Sequence, residues 1–394
     1  MVSKRLGISS QVWRDLGLAV ILFAGSACGS GSSLSPLVSP SSTLLILASD
    51  FTTGTITDVR GGEWTVDTGS GLAGPDAAAR SFAEPTQTVW ILNRDSLGAG
   101  NNLVRVGVDG ATPEKVAQWQ TGFQSNPHDL WVEQGVAFIT RYDLPSLLVL
   151  DSETGEGLGT IDLGGLPSLG ACSAPDGLPE MDEIFKYGDS LFVTLQCLDR
   201  SDPQLWTAAT TGKIAQIDIL THTMVNLYDL PSCRNPHDAG VSGDHLLISC
   251  TGDYEGGNDG ALISFSFVDK AVTVLAPESD FPGEIMGLGV GVDDEVFLIL
   301  YDSQTTFQTT VARWDPIDGI SLVHEPQDGY WHNRIAVKEG MLWMAGGSTW
   351  TNTAGVYRLD LDTLLPVDTS PLSTGLPPQV MVWVGDPYFG GGGH

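Results

Sequence analysis

Short apolar runs rich in β-branched residues return along this chain at a nearly constant interval, and that interval limits the fold more than any other feature. The runs are LLILASD (44–50), VWILNRD (89–95), AFITRYD (137–143), LFVTLQCLD (191–199), LLISCTGD (246–253), VFLILYD (296–302) and LWMAGGS (342–348). Ahead of most of them stands another candidate strand, as in PHDLWVEQG, PEMDEIFKYG, PHDAGVSGD, PGEIMGLGVG and WHNRIAVKEG. Behind them come a strand that closes on a turn, such as SLLVLDSETG (146–155), and a weaker fourth, such as GLGTIDLGG (157–165). The leading strands begin near residues 79, 127, 180, 236, 283 and 331. A period of about fifty residues carrying four short strands is the signature of a propeller blade. Seven runs predict an all-β, seven-bladed β-propeller. The first run has no leading strand of its own, and PPQVMVWV (377–384) can supply it, which joins the chain ends and removes the exposed edges of an open array. The 48 glycines and 22 prolines agree with many short strands joined by turns.

The two ends read differently from the middle. Lys4, Arg5 and Arg14 precede a short apolar run, 16–23, and small residues then lead to Cys28. This is the pattern of an export signal, and the run is too short to span a bilayer. The stretch AGSAC resembles the lipobox of bacterial lipoproteins, which implies Cys28 as a lipid-modified N-terminus after removal of residues 1–27, and Gly29 implies no retention at the inner membrane. Gly25 stands where leucine is usual, so an ordinary secretory cut near Ala27 is the alternative. Residues 28–42 predict a flexible tether, 43–385 the propeller, and 386–394, with its GGGGH end, a disordered tail. Cys172, Cys197, Cys233 and Cys250 remain, an even number that suggests two disulfides in an exported chain. In an antiparallel pair the start of one strand lies beside the end of its partner, which favours 172–197 and 233–250 as structural staples.

Residues 136–163, VAFITRYDLPSLLVLDSETGEGLGTIDL, resemble the YVTN-type propeller repeat. Ile139-Thr140-Arg141 stands where VTN is usual, and Asp151–Gly155 keeps the D-x-x-T-G turn. The other blades match loosely. The resemblance implies an exported binding or surface protein. Rings similar to these include lyases and a copper reductase with histidine ligands on inner strands, so the fold leaves function open.

The tetrapeptide NPHD occurs twice, at 125–129 within SNPHD and at 235–238, in a chain with seven histidines. One reading is punctuation: Pro127 and Pro236 stiffen the approach to a strand, and Asp129 and Asp238 bond nearby amides. The other aims imidazoles at one point. An overlay of blades places His128, His237 and His332 at one position in blades 3, 5 and 7, with Glu180 or Asp182 in blade 4 and Glu284 in blade 6. His128, His237, Glu284 and His332 are then candidate ligands of a divalent metal ion.

Asp50, Asp95, Asp143, Asp199, Asp253 and Asp302 each end a second strand, where aspartate is favoured by turn chemistry. If they surround the same face, they draw cations or basic partners, while Arg94 and Arg141 could orient an anion. Arg94, Asp129, Arg141, Asp143, Asp238 and Asp302 are the candidate ligand-binding residues. With 48 acids against 18 bases, the chain should repel nucleic acid and anionic membrane. No G-x-S-x-G elbow, H-E-x-x-H helix or phosphate loop is present, and GLGVGV (287–292) lies within a strand. Trp131, Trp206, Trp331, Trp343 and Trp350 could line a rim, though tryptophan between packed blades is commoner. His222, His245 and His324 carry no assigned role. The sequence thus predicts an exported, lipid-anchored monomer that binds a protein, peptide or polysaccharide at its His/Asp-rich face. The alternative is a metal-dependent lyase or hydrolase at the channel mouth.

Overall fold

The computed structural model describes residues 43–391 apart from 61–62, 68–70, 84, 86, 95–99, 165–171, 173, 202–205, 254–257, 292–293, 329–331, 348–352 and 389. Cys28, the expected signal and tether, Asp95, Trp331, Trp350 and His394 lie outside the described residues. Seven antiparallel sheets follow one another as blades, and their inner strands are Pro378–Trp383, Ala77–Ser81, Pro127–Glu133, Met181–Tyr187, Pro236–Ser242, Glu284–Val290 and His332–Lys338 for blades 1 to 7. Each inner strand touches the next, and the seventh touches the first, so the ring is closed. Closure is the expected one: Pro378–Trp383, from the C-terminal end, pairs antiparallel with Thr43–Ser49 in blade 1.

Burial explains the strand types. The second strands, such as Thr88–Asn93, Val296–Tyr301 and Met341–Gly346, are buried along their whole length because blades pack on both of their faces. Outer strands such as Gly157–Asp162 are exposed. The core therefore lies between neighbouring blades, where Trp90 and Trp343 are fully buried and Trp343 meets Trp383 edge to face at 5.5 Å. Trp131 is also buried, against Phe82, whereas Trp206 is exposed. Both expected disulfides form, Cys172–Cys197 and Cys233–Cys250. They fit a chain that folds in an oxidising compartment.

The tail departs from expectation. Gly390–Gly391 adds a short strand to the inner edge of blade 2, paired with Arg80 and Ala79, and Arg80 Nη1 donates to the carbonyl of Pro387 at 2.5 Å. Lys338 holds Asp386 at 2.5 Å, so this segment has specific partners where glycine content alone suggested none.

Candidate functional site

The inner strands begin at one face of the ring, here the upper face, and set a common register. In blades 3, 5 and 7 the first inner residue stands opposite the last residue of the second strand: Pro127 opposite Arg141, Pro236 opposite Cys250, His332 opposite Gly346. His332 therefore takes the place of the prolines, one residue ahead of His128 and His237, and the overlay that equated all three is off by one.

Each histidine is buried in a setting of its own. His128 Nδ1 lies 2.9 Å from Asp182 Oδ1, and its ring stacks on Tyr142 at 4.1 Å. Gln196 links that pair, donating to Asp182 at 2.9 Å and accepting from the Tyr142 hydroxyl. His332 Nε2 lies 3.3 Å from His324 Nδ1, and burial, then His324, push its imidazolium well below the ordinary histidine range. His237 sits at the top of blade 5. Among the described residues no three His, Cys, Asp or Glu side chains gather closely enough to hold a metal ion.

The NPHD tetrapeptides work as hinges between strands. Asn126 and Asn235 adopt φ of 44° and 53°, a left-handed turn that asparagine tolerates, and their carbonyls accept from Tyr142 and Thr251. Asp129 then reaches the next blade, where its Oδ2 accepts from the Ile184 amide at 2.9 Å, and Asp238 does the same with Leu288 at 2.9 Å. These two aspartates tie blade 3 to blade 4 and blade 5 to blade 6.

The same register exposes residues that the motif search passed over. Asp129, Glu183, Asp238 and Arg334 are the third residues of the inner strands in blades 3, 4, 5 and 7. Arg334 crosses the ring axis to Glu183 at 3.6 Å and Asp238 at 3.4 Å, while Arg80 of blade 2 grips Asp129 through Nε at 2.6 Å. Burial raises the Glu183 carboxyl well above its ordinary range, with Asp238 adding to the effect and Arg334 opposing it. Burial also raises Asp238 and Asp129, against their arginines.

Most other candidates serve turns or ion pairs. Asp50 accepts from Thr52 and Thr53, and Asp199 from Ser201. Arg94 pairs with Asp76 at 3.1 Å. Arg141 donates to the carbonyls of Ser146 and Thr121 and to the Ser146 hydroxyl, so its guanidinium is already engaged by the loops around it. Asp143 pairs with Arg200 at 2.6 Å, and Arg200 also reaches Glu180, whose carboxyl burial pushes up to about 8.

Two of the candidates do meet in a depression. Glu284 and Asp302 line an upper-face pocket of about 470 Å³ at blade 6, together with Asn258, Glu278, Tyr301 and Ser303. Glu278 lies in the short 3-10 turn Glu278–Asp280 and is 2% exposed. Its Oε2 accepts from the Gly260 amide at 3.0 Å, and its Oε1 has no hydrogen-bond partner among the described residues. Burial raises the carboxyls of both Glu278 and Glu284. Asp302 is held low instead, chiefly by the Thr305 hydroxyl and amide. A buried acceptor that makes no hydrogen bond among the described residues, on a side chain that lines an acidic pocket, is one that a ligand bearing N–H groups can complete.

No family model matches the chain, and no curated protein matches it in sequence. Solved structures are similar to it in fold. A putative 6-phosphogluconolactonase from Bacteroides fragilis is 14% identical, with TM-score 0.61, over 90% of this chain and 100% of that one. A periplasmic gluconolactonase from Pseudomonas aeruginosa is 15% identical, with TM-score 0.59, over 87% and 99%. Apo AztD from Citrobacter koseri is 16% identical, with TM-score 0.50, over 89% and 99%. At these identities the likeness establishes the seven-bladed fold and leaves chemistry to the residues.

Proposed function

We propose that this is an exported binding protein that takes a cationic group, a guanidinium or ammonium of a peptide or protein partner, in the acidic upper-face pocket of blade 6. The observation that carries the reading is the buried, unsatisfied Oε1 of Glu278 in a pocket shared with Glu284. A charge-assisted N–H donor there replaces a desolvated acceptor with a hydrogen bond, worth about 1.5–3 kcal/mol. The formal charge of −30 favours basic partners at long range. Phe307 is exposed on the blade 6 loop that carries Asp302–Thr305 and offers apolar contact beside the pocket.

The reading is tested by titrating acetyl-arginine amide and its uncharged citrulline counterpart. The arginine compound should bind and the citrulline compound should not. Glu278→Gln should weaken binding about tenfold, the value of 1.4 kcal/mol. Affinity should also fall as pH drops through the raised range of Glu278 and Glu284, because protonated carboxyls lose their charge. Equal binding of both compounds would overturn the reading.

A hydrolase is the second reading, favoured by two carboxyls of raised pKa on one pocket, a proton donor and acceptor in reach of one substrate. The lactonases of similar fold suggest a lactone. Lactone hydrolysis abolished by Glu284→Gln would replace the first reading with this one. The metal-dependent form of the expectation lacks a gathered ligand set among the described residues.

The AGSAC stretch supports a lipid anchor at Cys28, and the YVTN-type resemblance of residues 136–163 supports a surface protein. Cys28→Ser should move the protein from the membrane to the soluble fraction, since the described residues contain no helix long and apolar enough to cross a membrane. Unchanged membrane association in that variant would assign the cysteine no such role.

A further inference from the structure

Below the charged crossing the ring encloses a second site. A cavity of about 710 Å³ runs from that crossing to the lower face, where the inner strands end. Asp238 and Arg334 form its floor, and its walls are apolar or small, among them Ala239, Leu288, Ile335 and Met381. Asp386 and Tyr388, from the tail that bridges to blade 2, narrow its mouth.

Charge at the crossing behind this floor does not balance. Asp129 has Arg80, and Asp182 has His128 and Gln196. Glu183 and Asp238 must share Arg334, at contacts of 3.6 and 3.4 Å, longer than a hydrogen-bonded ion pair. Glu183 Oε2 and Asp238 Oδ1 are buried without a hydrogen bond among the described residues, although the two residues are only 2% and 4% exposed. With both carboxyls ionised, the state that rising pH favours, this low-dielectric site holds two carboxylates against one guanidinium and is short of one positive charge. Acidic side chains also outnumber basic ones at the mouth, with Glu295, Glu339, Asp362 and Asp386 against Arg313 and Lys338.

We infer that the cavity is a binding site for a small organic cation, an ammonium carried on an apolar body, with its head group on Asp238, which shares its Arg334 counter-charge with Glu183 behind the floor. The head supplies the missing charge and the donors, and the apolar body covers the aliphatic walls. A bare metal ion is the poorer occupant, because it needs several gathered ligands that the described residues do not provide here. This site lies across the charged crossing from the upper-face pocket and does not depend on the function proposed for that pocket.

Cyclohexylammonium and cyclohexanol, which share a shape and differ in charge, are the probes, titrated calorimetrically into the full chain at pH 8. The amine should bind and the alcohol should not. Glu183→Gln, which keeps the shape of the side chain, should weaken the amine at least tenfold, and Glu278→Gln should leave it unchanged. Asp238→Asn gives a second test of the same floor, and the Glu183 variant stands alone if loss of the Leu288 contact unfolds it. Equal binding of alcohol and amine would reduce the cavity to an apolar hole and overturn the inference. Undiminished binding in Glu183→Gln, or equal heat from potassium or magnesium chloride alone, would place the cation on the acidic surface at large and overturn it equally.

Discussion

A chain ending at Leu376 is expected not to hold a folded ring. The deletion removes the inner strand of blade 1, in which Val380, Met381, Val382 and Trp383 are all buried, and leaves Thr43–Ser49 with an unpaired edge. Burial of one such side chain contributes about 1.5–3 kcal/mol, so four contribute roughly 6 to 12 kcal/mol. That is comparable with the whole net stability of a typical domain, about 5–15 kcal/mol. The truncated protein should aggregate or be digested rapidly by protease under conditions where the intact chain resists. Coincident melting curves for the two would contradict closure at this strand.

The second large effect is expected at Arg334. Arg334→Met leaves Glu183 and Asp238 facing each other inside the ring with no counter-charge, and removing one partner of a buried ion pair costs about 3–5 kcal/mol. The loss should depend on pH, in a direction the burial of these acids fixes. Their folded-state pKa values are raised, so the folded protein binds more protons than the unfolded chain once pH exceeds the ordinary carboxylate range. The stability they contribute is present in full below that range and is lost as pH rises through the raised values. Arg334→Met should therefore be nearly as stable as the parent near pH 5 and far less stable at pH 8. Glu183→Gln should flatten the parent's pH dependence and restore much of the Arg334→Met loss in the double variant. Chemical denaturation at the two pH values measures both effects. A loss of equal size at each pH would make Arg334 a packing residue only.

The blades were legible in the sequence because a period of about fifty residues cannot be produced by isolated turns. Both disulfides were legible because antiparallel geometry puts Cys233 beside Cys250, and Cys172 beside Cys197, once the strands are placed. The histidine position was not, since no proline marks where the blade 7 strand begins: the bulge after the first residue is common to blades 5 and 7, and His332 falls in the place of a proline. Arg334 escaped notice for another reason: its partners, Glu183 and Asp238, lie across the ring in blades 4 and 5, far away along the chain. A signal was nonetheless present in the third position of PHD, MDE, PHD and HNR, which carries a charge where an inner strand should be apolar. Glu278 gave no signal. It stands in a connection after an outer strand, and only folding brings it to the lining of the blade 6 pocket.

The central claim is that the blade 6 pocket receives a cationic group, and the location of a bound guanidinium tests it most directly. Crystals of the mature protein soaked with acetyl-arginine amide, at a concentration that saturates binding in solution, should show the guanidinium within hydrogen-bond distance of Glu278 Oε1 and beside Glu284. The same soak of Glu278→Gln crystals should leave the pocket without it. A guanidinium found elsewhere on the ring in both proteins, with the pocket of blade 6 holding solvent, would contradict the account.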